Sequence, residues 1–189
     1  MPLSDARKWN QRYQEEKFKS FERPRPFLVE NARYLPTGGL ALDMAMGLGG
    51  NAGFLIERGL RVIGLDISSV AVSNAKSRYP ELMAAVVDLT CVHLPPNTFD
   101  VIINFYYLQR DLWPVYSRSL RQGGVLIFES LTLKMLEQSA DIDPEYLLAP
   151  GELQQGFRDL KVLDYREDWL VDDKGHSKAV ASLVAIKTS

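Results

Sequence analysis

From residue 40 onward the chain is punctuated by short apolar runs, each closing on an acid or an amide. Leu40–Leu42 precede Asp43, Arg61–Leu65 precede Asp66, Met83–Val87 precede Asp88, Phe99–Ile103 precede Asn104, and Val125–Phe128 precede Glu129. Their apolar, often β-branched character is that of strands covered on both faces. Between them lie stretches with helix punctuation. One spans 51–58 and is stopped by Gly59; a second, capped by Ser68 or Ser69, runs to Tyr79 and is closed by Pro80. A third, capped by Asp111, runs to about Leu120 and is ended by Gly123-Gly124. Strands and helices alternating in this way predict a parallel sheet with helices on both faces. Right-handed crossovers bring the loops that follow the strands to one edge, where such sheets bind ligands. Asp43, Asp66, Asp88, Asn104 and Glu129 are therefore expected at a common edge.

The flanks read differently. Residues 4–17 carry helical spacing, with Ser4 as cap and Trp9 and Tyr13 one turn apart on the same face. Two readings stand for these aromatics, docking of the helix on the domain and roofing of a pocket, and docking is favoured. Prolines at 24 and 26 break up SFERPRPF, after which a short helix over Phe27–Tyr34 ends at LPTGG. Beyond Glu129 come a helical piece near 133–139, the turn-like DIDPEYLLAPGE, a short helix, and strands near 160–170 and 178–187. Asp172-Asp173-Lys174-Gly175 reads as the loop joining that last pair into a hairpin. The expectation is an α/β chain with a Rossmann-like, doubly wound sheet of about seven strands, mostly parallel and finishing in an antiparallel hairpin. A single domain over 1–189 is expected, with residues 1–35 as an N-terminal helical lid and 36–189 as the core.

Composition narrows the function. The chain is 46% hydrophobic and 24% charged, and its net charge of −2 argues against a broad basic footprint for nucleic acid. Cys91 is the single cysteine and has no partner for an internal disulfide or the company of a zinc site. No metal is expected. No apolar run approaches the ~20 residues of a membrane span, and the first residues are too polar for a secretory signal. A cytoplasmic protein is the reading. His93 and His176 lack ligand spacing and are read as solvated.

The chemistry gathers at LALDMAMGLGGNAG, residues 40–53, where a strand enters a glycine-rich turn and then a helix. Glycine is needed where a Cβ would block a left-handed φ or close approach to a ligand. Gly47-Leu48-Gly49-Gly50-Asn51-Ala52 also satisfies G-x-G-x-x-A, with Asp66 about 20 residues on, the fingerprint of a dinucleotide site. A pyrophosphate over that turn would face Asp43 and be repelled, whereas S-adenosylmethionine has no phosphate and carries two cationic centres that welcome carboxylates. Asp66 can accept both ribose hydroxyls, and Asp88 suits a donor such as the adenine amino group.

The ordered set ALDMAMGLGGNAGFLIERGLRVIGLDISSVAVSNAK, VVDLT, FDVIINFYYLQRDLWP, LRQGGVLIFES and PEYLLAPGEL resembles the class I S-adenosylmethionine-dependent methyltransferases. It is most similar to the small branch of tellurite-resistance methyltransferases. The resemblance covers about residues 25–170 and rests on the combination of pieces. It implies that Asp43, Ala45, Gly47 and Gly49 line the methionine end of the cofactor, that Asp66 with Ile67 holds the ribose, that Asp88 and Leu89 meet adenine, and that Asn104 and Phe105 sit near the sulfonium. Met46 stands where the family has Cys or Gly, and a methionine is flexible enough to lean into the core.

Methyl transfer is an in-line displacement, so positioning and exclusion of water dominate, and a base is needed only when the acceptor must lose a proton. No catalytic base is assigned. Candidate acceptor-side residues are Tyr106, Tyr107 and Arg110 after the fourth strand, Trp9, Arg12 and Tyr13 on the first helix, and Glu129. Tyr106 and Tyr107 have even odds of facing the site. For Arg110 a helix-start surface charge is favoured over anion binding, and for Glu129 anchoring of the lid is favoured over substrate contact. NFYY departs from the Asn-Pro-Pro-aromatic signature of base and amide methylation, so a small-molecule acceptor is expected, anionic or a soft nucleophile. The rival readings are an NAD(P)-dependent oxidoreductase and a non-catalytic S-adenosylmethionine-binding protein.

Overall fold

The computed structural model describes residues 3–15, 21–171 and 175–188. Helix α1 (Leu3–Arg12) and the short α2 (Pro26–Glu30) precede β1 (Leu40–Met44), α3 (Gly50–Glu57), β2 (Arg61–Asp66), α4 (Ser69–Arg78) and β3 (Met83–Val86). They are followed by β4 (Phe99–Phe105), α5 (Trp113–Ser119), β5 (Leu120–Leu131), α6 (Glu152–Gly156), β6 (Lys161–Val171) and β7 (Ser177–Ile186). The strands form one sheet of seven in the order β3-β2-β1-β4-β5-β7-β6. β3-β2-β1-β4-β5 are parallel, and β7 runs antiparallel to both β5 and β6. The expected Rossmann-like sheet with an antiparallel finish is therefore present, with β7 inserted between β5 and β6. Residues 172–174 of the anticipated hairpin loop lie outside the described residues.

Period-two alternation sorts the strand residues onto two faces. Leu42, Met44, Ile102, Leu126 and Phe128 face a layer that holds Trp113, Tyr116, Leu153 and Phe157 from α5 and α6 and the region just after it. Ala41, Val62, Val101, Ile103 and Ile127 face the opposite layer, which holds Phe27 and Leu28 of α2, Leu55 of α3 and Val72 and Ala75 of α4. Both layers are needed because every central strand is apolar on both sides. The order reverses between β1 and β4, and a crevice opens there at the carboxyl ends of the strands.

Several local expectations are corrected. The helix expected over Phe27–Tyr34 is split into α2 and a 3-10 turn, Ala32–Tyr34. α1 ends at Arg12, and the expected helical residues 16 and 17 lie outside the described residues. Asp111 does not cap α5. That helix begins at Trp113 with no side-chain cap, because Pro114 suits a first turn whose N–H has no intrahelical partner. Nor do Gly123 and Gly124 end it. α5 stops at Ser119 and β5 starts at once, with the two glycines opposite a register shift between Phe99 and Val101. Gly123 takes φ 78° there and donates its N–H to the Lys187 carbonyl. β5 is thus longer than the predicted 125–128, and Glu129 lies within it rather than beyond its end. The piece near 133–139 is a 3-10 turn, Leu133–Glu137.

Gly50 shows how tightly the segment before β1 is packed on the glycine turn. A Cβ at that position would lie 2.4 Å from the carbonyl oxygen of Arg23, a backbone atom that cannot swing aside. Helix propensity alone favours alanine over glycine by about 1 kcal/mol. Packing should reverse that sign: Gly50→Ala is expected to destabilise the protein by about 1–3 kcal/mol in urea unfolding.

Candidate functional site

A cavity of about 830 Å³ opens over the carboxyl ends of β1, β2 and β4. Its floor is the turn after β1. Ala45 and Gly47 both take left-handed backbone, φ 55° and 56°, and the second turn glycine, Gly49, has φ 80°. A non-glycine residue in that conformation is strained, and such strain collects at functional sites. Ala45 and Tyr106 (φ 61°), which follow β1 and β4, both line this cavity. Met46 packs its Sδ against β2, where a Cβ on Gly64 would lie 2.1 Å from it; the glycine makes the room the bulky side chain needs.

Two buried carboxylates sit at the floor, Asp66 in its lining and Asp43 behind it. Asp66 is 4% exposed and accepts from the Gly47 N–H through Oδ2 and from the Ser68 N–H through Oδ1, both at 2.8 Å. Burial still pushes its pKa up, against the pull of these amides. Asp43 is 1% exposed, and its Oδ2 has no hydrogen-bond partner. Burial first and the Asp66 charge second raise its pKa well above the carboxylate range, while the Ala52 N–H and Arg25 act the other way. An unpartnered buried carboxylate oxygen is costly unless a cation or donor reaches it. The Gly47 amide is committed to Asp66, so the turn does not offer that N–H to a phosphate.

The roof is α1. Asn10 Oδ1 accepts from the Ser68 hydroxyl at 2.7 Å and from the Val70 N–H at 3.3 Å, which docks α1 on the start of α4. Trp9 stacks on Tyr13 with centroids 5.5 Å apart, and the Arg12 guanidinium lies 5.0 Å from the Trp9 ring. All three line the cavity, and the Tyr13 hydroxyl comes within 3.0 Å of where a Gly47 Cβ would be. α1 and the turn residue Tyr13 that follows it thus both pack on the domain and line the cavity.

Of the residues anticipated for the cofactor, Ala45, Gly47, Asp66, Ile67, Leu89 and Phe105 line the cavity. Gly49 does not: a Cβ there would meet Ala75 of α4 at 2.8 Å, so its smallness serves helix packing. Asp43 lies behind the floor, and Asn104 lies behind the wall with its amide N–H donating to the Tyr116 hydroxyl at 3.0 Å. Asp88 accepts from the Thr90 N–H and hydroxyl at 2.9 and 2.7 Å, next to the lining residue Leu89.

On the acceptor side, Tyr106, Tyr107 and Arg110 line the cavity. Arg110 is neither a loose surface charge nor open to an anion, because Glu152 and the carbonyls of Glu145 and Leu147 hold its guanidinium. Glu129 does not face the cavity. It is 2% exposed and accepts from the Tyr106 hydroxyl at 2.8 Å and the Ser182 hydroxyl at 2.7 Å. Arg166 stands 3.6 Å away and pairs with Glu30 at 3.0 Å while covering Phe27, so the tie from Glu129 runs to α2 rather than α1. His93, His176 and Cys91 are exposed. Among the described residues no group of three or more His, Cys, Asp or Glu is placed to hold a metal ion, and no helix is long and apolar enough to cross a membrane.

Sequence reasoning passed over Phe21, Arg25, Asn51 and Lys178, which also line the cavity. Arg25 and Phe21 belong to the proline-broken strap, where no regular element marked a facing side. Asn51 was visible only as a helix start, and Lys178 comes from a distant strand.

Asp43 makes stability depend on pH in a defined direction. Its folded pKa lies above its unfolded one, so the stabilisation from the neutral form is full below the unfolded value and is lost as pH rises through the folded value. The melting temperature of ligand-free protein is expected to fall with rising pH over that window. Asp43→Asn should flatten the fall and raise the melting temperature at about pH 8, as read by differential scanning calorimetry.

Comparison with known proteins agrees with this geometry. Residues 41–124 match the family model described as a methyltransferase domain. A curated relative, a probable S-adenosylmethionine-dependent methyltransferase of Mycolicibacterium smegmatis, is 32% identical over 92 residues, 46% of this chain and 35% of the relative. The matched part thus spans about a third of that relative's length. Among solved structures, TehB from Haemophilus influenzae superposes with a TM-score of 0.73 at 17% identity, covering 87% of this chain and 62% of that one. An S-adenosylmethionine-dependent methyltransferase from Methanosarcina mazei gives 0.70 at 16% identity, covering 88% and 99%. The segment from β1 to the start of β5 thus matches a methyltransferase domain in sequence, and the sheet that carries it has the Rossmann-like fold of S-adenosylmethionine-dependent methyltransferases.

Proposed function

We propose that the protein is an S-adenosylmethionine-dependent methyltransferase acting on a small acceptor that is anionic or a soft nucleophile. The observation that carries this is the unpartnered, buried Asp43 oxygen beneath a glycine turn whose Gly47 amide is already spent on Asp66. That floor suits a cationic amino-acid moiety and suits a diphosphate poorly, which speaks against the dinucleotide reading. The matched family segment and the curated relative support the same cofactor.

The residues present fit such a group. Asp66 retains lone pairs for the ribose hydroxyls beyond its two amide bonds. Ile67 and Leu89 flank the adenine side, and Asp88 stands beside them for its amino group. Asp43 faces the ammonium end through the floor, while the Tyr13 hydroxyl and the side-chain amide of Asn51 stand above it as donors for the methionine carboxylate. The cofactor supplies an electrophilic methyl carbon on a sulfonium. α1 shields that centre from water, with Trp9 and Tyr13 stacked across the opening. Phe105 and Tyr106 set the wall along which the acceptor lines up.

Tyr106 is not the base. Burial and the neighbouring Glu129 raise its pKa far above the ordinary phenol value, and its proton is directed at Glu129. An acceptor that enters already deprotonated, such as a carboxylate, an oxyanion or a thiolate, needs no base. The resemblance to tellurite-resistance methyltransferases puts chalcogen oxyanions among the acceptors to be tried.

S-adenosylhomocysteine is expected to raise the melting temperature while NAD(P) leaves it unchanged. Asp66→Asn should weaken S-adenosylhomocysteine binding by roughly 10- to 100-fold, the loss expected for hydrogen bonds to a charged group. Stabilisation by NADPH alone would overturn the assignment. Methyl transfer from radiolabelled cofactor to an acceptor panel separates an enzyme from a binding protein.

A further inference from the structure

Between the 3-10 turn at Leu133–Glu137 and α6 the chain forms only one short turn, Pro144–Tyr146, yet its backbone is fixed from several directions. Asp143 Oδ1 accepts from the Glu145 N–H at 3.0 Å and closes that turn. The Leu148 N–H donates to the carbonyl of Leu131, the last residue of β5, and the Leu133 N–H donates back to the Leu148 carbonyl, both at 2.9 Å. Arg110, from the loop after β4, supplies the rest. Its Nη1 and Nη2 donate to the carbonyls of Glu145 and Leu147, both at 2.9 Å, and these two carbonyls bracket Tyr146. Glu152 engages the same guanidinium through both carboxylate oxygens and accepts from the Ala149 N–H at 2.7 Å.

An ion pair at the surface adds little to overall stability, but a fork bound to two carboxylate oxygens and two carbonyls fixes geometry. What it fixes is an exposed aromatic ring. Leu147 and Leu148 are buried, whereas Tyr146 just before them is 61% exposed and lines the cavity. A ring so exposed contributes little core packing, and pinning its backbone in advance lowers the entropy cost of binding a ligand against it. Leu131 and Leu108 line the cavity as well, one bonded to Leu148 and the other two residues before Arg110. Glu145 and Asp111, the neighbours of Tyr146 and Arg110, are exposed lining residues, so a negative charge on a ligand is unwelcome at this end.

Position separates this end from the ribose contact. β1 and β4 lie between β2 and β5, so Asp66 at the end of β2 and Leu131 at the end of β5 stand three strand spacings apart, about 14 Å. We infer that Tyr146 is a specificity residue for the methyl acceptor, a stacking platform for a flat, uncharged part of that molecule, and that Arg110 is the positioning residue that holds the platform. The inference rests on the methyltransferase reading for the word acceptor, whereas the platform itself stands on the bonds around Tyr146. The reacting atom of the acceptor points inward to Phe105 and Tyr106, and its ring lies outward against Tyr146 and Leu131.

Equilibrium dialysis of 2-naphthol and of 2-naphthoate, one flat ring system with a neutral or an anionic head, tests the platform with and without saturating S-adenosylhomocysteine. At least one of the two should bind the wild type. Tyr146→Ala should lose roughly tenfold in that affinity, and Tyr146→Phe should stay within about twofold, since the ring and not the hydroxyl makes the contact. Arg110→Gln should lose a comparable factor with Tyr146 intact. Because Arg110 acts through Tyr146, the double variant Arg110→Gln/Tyr146→Ala should bind no worse than Tyr146→Ala alone, whereas a general loss of structure would add to the effect of Tyr146→Ala. S-adenosylhomocysteine affinity should stay within about twofold in every variant, because sites this far apart act nearly independently.

Tyr146→Ala changes an exposed position and leaves the fold intact, so the platform is tested even where Arg110→Gln lowers the melting temperature. The inference is overturned by a wild type that binds neither naphthyl compound, by unchanged affinity in Tyr146→Ala or in Arg110→Gln, or by losses that add in the double variant. Failure of the methyltransferase reading shows separately, as a wild type that binds a naphthyl compound through Tyr146 but no S-adenosylhomocysteine.

Discussion

The site depends on the bond between Gly47 and Asp66. One carboxylate oxygen takes the turn amide and the other takes the Ser68 amide, so a single buried acid at the end of β2 holds both the glycine turn after β1 and the start of α4. A charge-assisted bond of this kind is stronger than a neutral one, and burial raises the penalty for losing it. Ser68 in turn caps α4 by accepting from the Ala71 N–H and donates to Asn10 of α1. The floor, one helix and the roof of the cavity are thereby referenced to the same side chain.

That arrangement explains why the acids at the sheet edge are not equivalent. Asp66 is buried because backbone amides replace its water. Asp43 is buried with one oxygen unmatched, an arrangement that costs stability. Glu129 is buried by a different device, two hydroxyl donors and a nearby arginine, and serves to lock Tyr106 in a strained backbone conformation. Three carboxylates that look alike in the primary structure thus fall into three environments, suited in turn to ribose contact, charge complement and mechanical anchoring.

The cavity also carries both signs of charge. Carboxylates lie at its floor, Arg25 and Lys178 both approach the Tyr106 ring, and the Arg25 charge reaches back to Asp43. Fixed charges of both signs orient a ligand, and positioning of this sort, rather than an acid–base pair, is what an in-line methyl transfer requires.

Much of this was written in local patterning. The alternation of apolar runs and capped helices dictates a doubly wound sheet, because strands apolar on both faces must be covered on both faces, and right-handed crossovers then leave one edge for ligands. The glycine turn, Asp43 and Asp66 follow directly, since each lies at a strand end in the linear order. What only the tertiary structure decided were features set by partners far away in the chain. Whether Gly123-Gly124 ended a helix or bent a strand depended on β5 pairing with β4 and β7. Gly49 looked like a cofactor residue until Ala75 was placed against it. Arg110 lost its anion to Glu152, and Glu129 turned from the cavity toward Ser182, because a side chain's direction is settled by whichever group completes its hydrogen bonds. Arg25 and Lys178 carried no local signal at all: one sits in an irregular strap, the other on a strand added from the opposite end of the chain, and only closure of the sheet brings both to one aromatic ring.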